Sequence, residues 1–144
     1  QGKNLIRYIF KKYNDHCGST GELDYSNIHI EHILPQNPHK DWGDKLCKKT
    51  IINEFVDSIG NLTLLSMPLN TSARNKTLDI KLPKYSESEI KMTCENLVDF
   101  INGKSGEWNE QIIKERSKNI AEVIISTFNI FVGEDNDENS AEDS

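Results

Sequence analysis

Three cysteines, Cys17, Cys47 and Cys94, are all that a chain of 144 residues contains, and they form no CxxC pair. An odd, widely spaced set speaks against a disulfide framework and a structural zinc knuckle, and a reduced cytoplasmic setting fits best. Also missing is any apolar run near the roughly 20 residues that cross a bilayer, and there is no signal-peptide pattern. No internal repeat is present. An excess of base is lacking as well. Six acids and no base lie between Gly133 and Ser144, so the remaining 17 acids balance 17 Lys plus Arg and the net charge of −6 belongs to that end. A neutral body does not advertise a polyanion partner, and a local basic cluster would still suffice for one.

What is present divides at about residue 132. The segment 133–144, rich in Glu, Asp, Asn and Ser, buries too little apolar surface to offset its ordering entropy and reads as an acidic disordered tail. Residues 1–132 suit one domain. Gln1 stands where a Met would start a chain, already in helical pattern, which reads as a piece of a longer protein.

Leu5, Ile6, Ile9, Phe10 and Tyr13 recur at helical spacing, predicting an amphipathic helix that ends near Asp15. Ile28, Ile30 and Ile33 alternate with His29, Glu31 and His32 as a short strand does, and Pro35 and Pro38 then open a loop around Trp42. Ile51 to Ile59 suggests a helix stopped by Gly60, and Leu62-Thr63-Leu64-Leu65 a second strand. Ser66 is a candidate cap for a helix with Pro68 in its first turn and Asn70 on it. Longer helices are expected from about Ser86 to Ile101 and from about Trp108 to Phe128. The fold class is small α+β, mostly helical.

The segment Ile30-Glu31-His32-Ile33-Leu34-Pro35-Gln36 is the richest in chemistry. A carboxylate can hold a divalent cation, and an imidazole can take a proton from water. Adjacent strand residues point to opposite faces, so Glu31 and His32 converge only if the strand ends or bends there, as Pro35 permits. A Glu-His pair beside apolar residues is common and says little alone. A second segment, Gly60-Asn61-Leu62-Thr63-Leu64-Leu65 followed by Asn70, adds two asparagines nine residues apart across a strand-to-helix junction. One amide oxygen is a hard ligand suited to Mg²⁺ or Mn²⁺, and a second amide can pin the loop that carries the histidine.

Together these segments resemble the HNH domain of GmrSD-type modification-dependent restriction endonucleases, over about Leu5 to Phe128. The resemblance takes in the Lys81-to-Tyr85 segment and the Trp108, Ile112 and Arg116 pattern of the last helix. The HNH domain of RNA-guided Cas nucleases shows a similar acid-His-Ile start and the same spacing of asparagines. The resemblance implies a ββα-metal core with flanking helices and a Mg²⁺- or Mn²⁺-dependent endonuclease acting on DNA. It implies Glu31 and Asn70 as metal ligands, His32 as the base that activates water, and Asn61 as the asparagine that orients His32. It departs where many HNH sites carry Asp and this chain has Glu31, which bears on metal preference. It also implies an N-terminal NTPase and specificity domain in the same longer protein, and an antiphage role.

Arg74 and Lys76 are candidate phosphate contacts, Lys76 because Asn75-Lys76 resembles a recurring family lysine; Lys81 and Lys84 could serve likewise. Trp42 and Trp108 read as core. His29 reads as a packed or surface histidine, and His39 sits in the proline-rich loop with nothing specific to support a role. Cutting both strands would call for two copies, which leaves a homodimer open. The alternative readings are a catalytically inactive module of this fold that binds DNA or a partner NTPase domain, and a helical domain whose Glu-His pair is accidental.

Overall fold

The computed structural model describes the backbone of residues 2–19, 21 and 23–142, and side chains up to residue 127. Its first helix, α1 (Gly2–His16), buries Phe10, Tyr13 and Asn14 along one face, as the helical spacing predicts. Strand β1 (Ile28–His32) pairs antiparallel with β2 (Leu62–Ser66), placing Glu31 opposite Thr63 and His32 opposite Leu62. Because side chains alternate along a strand, Leu62 and Leu64 enter a core with Phe10, Tyr13 and Ile120, while Leu65 enters another with Ile33, Trp42 and Trp108. β2 therefore partitions two cores. Burial on both faces is why it reads as a continuous apolar run and not as an alternating one.

Between the strands lie a 3-10 turn over Lys40–Trp42, helix α2 (Lys49–Phe55) and a second 3-10 turn over Ile59–Asn61. α2 stops earlier than the expected Ile59, so Gly60 is not its terminator. Gly60 is required by proximity: a Cβ there would overlap the Ile113 carbonyl and Ser117 of the last helix. Its N–H donates to Ser117 Oγ at 2.9 Å, and Arg116 Nη1 donates to the carbonyls of Gly60 and Leu62 at 2.9 and 2.7 Å. Burial lowers the Arg116 pKa to about 10, which leaves it charged near neutral pH. The corner that opens β2 is thus gripped by the last helix.

α3 (Met67–Ala73) follows β2 directly, with Pro68 in its first turn. Ser66 occupies the N-cap position as expected, yet its side chain makes no capping hydrogen bond. The expected helix from Ser86 to Ile101 begins later, at Lys91, and a helix that the sequence reading does not expect precedes it. α4 (Leu78–Ser86) forms despite Pro83 within it, and a π-helical segment, Met92–Leu97, runs on into α5 (Val98–Gly103). A proline in a helix interior costs about 3 kcal/mol, so sequence patterning disfavours α4. The wider π turn brings Thr93 against the sheet, where its Oγ1 donates to the Leu64 carbonyl at 2.7 Å. Asn14 of α1 accepts the Met92 N–H at 2.9 Å, tying the first helix to the same segment.

α6 (Glu110–Glu142) begins near the expected position and is assigned well past Phe128. Its side chains from residue 128 onward lie outside those described, as do residues 143 and 144; the backbone over 133–142, where an acidic disordered tail is expected, is helical. The fold is α+β and mostly helical, with a small two-stranded sheet flanked by six helices among the described residues. Among the described residues, no helix is long and apolar enough to cross a membrane.

Candidate active site

β1 ends at His32, and the chain turns into the Pro35 loop where β1 and α3 approach each other. A cleft of about 440 Å³ opens there, lined by Glu31, His32, Pro35, Gln36, Asn70 and Arg74 among others. The end of the strand lets two adjacent side chains address one space, which an unbroken strand would forbid.

Glu31 is buried, at 3% exposure. Its Oε1 accepts from Lys81 Nζ at 2.7 Å and from the Tyr85 hydroxyl at 3.0 Å, while Oε2 accepts nothing among the described residues. Burial raises the Glu31 pKa, and the Lys81 ammonium opposes that rise. Burial likewise lowers the Lys81 pKa against the pull of Glu31, and pushes the Tyr85 hydroxyl well above its ordinary value. Lys81 is fully buried. It is therefore not a phosphate contact, contrary to the expectation from its charge.

His32 stands in different surroundings. Its side chain is 26% exposed, and Nε2 lies 2.9 Å from Oδ1 of Asp57, itself 78% exposed. If Nε2 carries the proton and donates to that carboxylate, Nδ1 keeps a lone pair.

Asn61 lies outside the cleft lining and beneath the backbone around it. Its Oδ1 accepts from the Leu34 N–H at 2.8 Å and from Trp108 Nε1 at 3.1 Å. Its Nδ2 donates to the Leu34 and Val56 carbonyls, both at 2.9 Å, and its backbone carbonyl accepts the Ile33 N–H at 2.9 Å. One side chain thereby ties the loop after His32 to the residue before Asp57. It reaches both partners of the His32–Asp57 pair through their neighbours and touches neither ring nor carboxylate.

Asn70 is half-buried on α3 and lines the cleft, as does Arg74 one turn later. Arg74 closes α3 with φ 37° and ψ −123°. Positive φ strains a residue with a side chain, by about 1–3 kcal/mol, and such strain gathers at working sites. Lys76 does not line this cleft. It borders a neighbouring one of about 270 Å³ with His39, Asn75 and Thr77. Trp42 Nε1 holds that loop by donating to the Asn75 and Lys76 carbonyls at 3.3 and 3.1 Å. Trp42 and Trp108 are both core residues, as read from the sequence. His39 caps the 3-10 turn through the Asp41 N–H at 3.2 Å.

Sequence reasoning missed Asp57 and Tyr85. Tyr85 carries a faint signal, since it lies four residues after Lys81 and so on the same side of a helix. Asp57 carries none.

The donor set can be tested against a cation. Among the described residues no group of three His, Cys, Asp or Glu comes together, which leaves no closed zinc-type site. A single carboxylate oxygen without a hydrogen-bond partner and an amide, both bordering an open cleft, fit Mg²⁺ or Mn²⁺, whose remaining ligands are water and phosphate.

No curated protein and no solved structure matches the chain. Over residues 1–123 it matches the family described as GmrSD restriction endonucleases, C-terminal domain, and it belongs to that family.

Proposed function

We propose that this domain is an HNH-type endonuclease that hydrolyses DNA phosphodiester bonds with Mg²⁺ or Mn²⁺. The observation that carries the reading is the meeting of Glu31, His32 and Asn70 on one cleft, from two segments distant in the chain. Membership of a restriction endonuclease family makes DNA the substrate class to test.

In this reading His32 takes a proton from the attacking water, with Asp57 holding the far side of the ring. Asn61 is a positioning residue that fixes the backbone on both sides of that pair. Glu31, through Oε2, and Asn70 are the metal ligands. When bound, the cation supplies Lewis-acid stabilisation of charge on the phosphate and the leaving oxygen. Arg74 contacts the phosphate in the cleft, and Lys76 contacts the strand farther along, beyond Asn75.

In this reading the domain is the cleavage part of an antiphage, modification-dependent restriction protein working in the cytoplasm, which membership of a restriction endonuclease family supports in its cleavage role. Target choice then resides in an N-terminal NTPase and specificity domain.

Plasmid cleavage with Mg²⁺, Mn²⁺ or EDTA tests this. Wild type cuts with metal and not with EDTA, and His32→Ala slows cutting on the order of 100- to 10,000-fold. Cutting by His32→Ala at the wild-type rate would remove the base assignment. Cutting undiminished by EDTA would remove the metal.

A further inference from the structure

The donors that reach the Glu31 carboxylate among the described residues both come from α4. Lys81 Nζ donates to Glu31 Oε1 at 2.7 Å, to the His32 carbonyl at 2.7 Å and to the Ile33 carbonyl at 3.0 Å. Those three bonds use every donor an ammonium has. Tyr85, one helical turn further on, donates its hydroxyl to the same Oε1 at 3.0 Å. Oε1 is thus held from two directions, whereas Oε2 has no donor among the described residues.

The same ammonium also fastens the chain where β1 ends. The carbonyls of His32, the last residue of β1, and of Ile33, which follows it, both accept from Lys81. One side chain therefore fixes a carboxylate and the backbone turn that sends the next residue toward the same cleft. An ordinary surface ion pair would do neither.

Resting on the endonuclease reading, we propose that Lys81 and Tyr85 are positioning residues. They form a two-donor clamp that sets Glu31 to offer Oε2 alone to a divalent cation. Pro83 stands between them in α4, and the helix that tolerates it is the one that brings both donors to a single oxygen.

Binding of Mn²⁺ alone to the full chain, followed by the EPR signal of the free ion, separates three roles. A clamp predicts that Lys81→Met weakens Mn²⁺ binding about tenfold or more, in line with other groups that orient metal ligands. Tyr85→Phe, which keeps the ammonium, weakens it by a smaller factor. A lysine that acted only as a nearby positive charge would repel the cation, so Lys81→Met would bind Mn²⁺ more tightly. A purely structural lysine would leave the affinity of a folded variant unchanged. Either of those outcomes overturns the clamp. Circular dichroism reports folding, and if Lys81→Met does not fold, Tyr85→Phe decides: wild-type affinity there overturns the proposal. Wild-type protein that binds no Mn²⁺ overturns the endonuclease reading and the clamp with it. Wild-type binding matched by both folded variants overturns the clamp alone.

Discussion

Glu31 and His32 are consecutive residues facing one cleft, and their supports could hardly differ more. Glu31 is buried and held by two buried donors on a helix, Lys81 and Tyr85. His32 is partly open to water and held by Asp57, a residue that is itself mostly exposed. The contrast follows from the work each group is proposed to do. A metal ligand gains from a fixed oxygen and from neighbours that neither move nor dissociate. A base must meet water and release its proton again, so it needs orientation without enclosure. The rigid side draws on core residues; the open side draws on the surface.

Breaking each side in turn tests the contrast. The largest expected effect is on the open side. His32→Ala lowers cleavage on the order of 100- to 10,000-fold, and because the side chain is not in the core, the urea unfolding midpoint stays near that of wild type. Next comes the support common to His32 and Asp57. Asn61→Ala strands four partners, the Leu34 N–H and carbonyl, the Val56 carbonyl and Trp108 Nε1. With each buried unpaired group costing about 1–3 kcal/mol, equilibrium unfolding is expected to show a loss of roughly 3–5 kcal/mol. A variant as stable as wild type would mean that the loop is held some other way.

A smaller effect belongs to the exposed partner. Asp57→Ala slows turnover about tenfold by freeing the ring to reorient, as loss of an orienting partner does elsewhere. Stability changes by no more than about 0.5 kcal/mol, as at other surface positions. Equal loss in Asp57→Ala and His32→Ala would assign the pair a joint role in the proton transfer. The smallest effect is at the strained end of α3. Arg74→Gly relieves the positive φ and raises unfolding free energy by about 1 kcal/mol, while DNA binding weakens and its salt dependence loses about one phosphate contact. A glycine variant that binds DNA with the same salt slope would exclude Arg74 from the substrate.

How much of this was readable before folding depended on the range of the interaction. β1, β2 and α3 were legible because their signals are local: alternation, a short apolar run between turn residues, and a proline in a first turn. The grouping of Glu31, His32 and Asn70 at one cleft, with Asn61 beneath it, was legible because their spacing resembles a known pattern. Arg74, read as a phosphate contact, lines that cleft, whereas Lys76 borders the next one. The role of Lys81 was not legible. Its charge suggested phosphate, and only the tertiary fold shows its ammonium buried against Glu31, 50 residues away in sequence. α4 was hidden by Pro83, and the π segment by the absence of any sequence period that marks it. Asp57 reaches His32 from 25 residues away in sequence, beside a Val56 carbonyl that Asn61 holds, a relation that no local pattern encodes.

The measurement that bears most directly on the division of labour compares Glu31→Gln with His32→Ala for both Mn²⁺ binding and plasmid cleavage. Glutamine keeps the shape and an acceptor for Lys81, so the fold survives while the ligand charge is lost. The account predicts that Glu31→Gln loses Mn²⁺ binding and cleavage together, and that His32→Ala loses cleavage and binds Mn²⁺ as wild type does. Undiminished Mn²⁺ binding and cleavage in Glu31→Gln would contradict it, and so would loss of Mn²⁺ binding in His32→Ala.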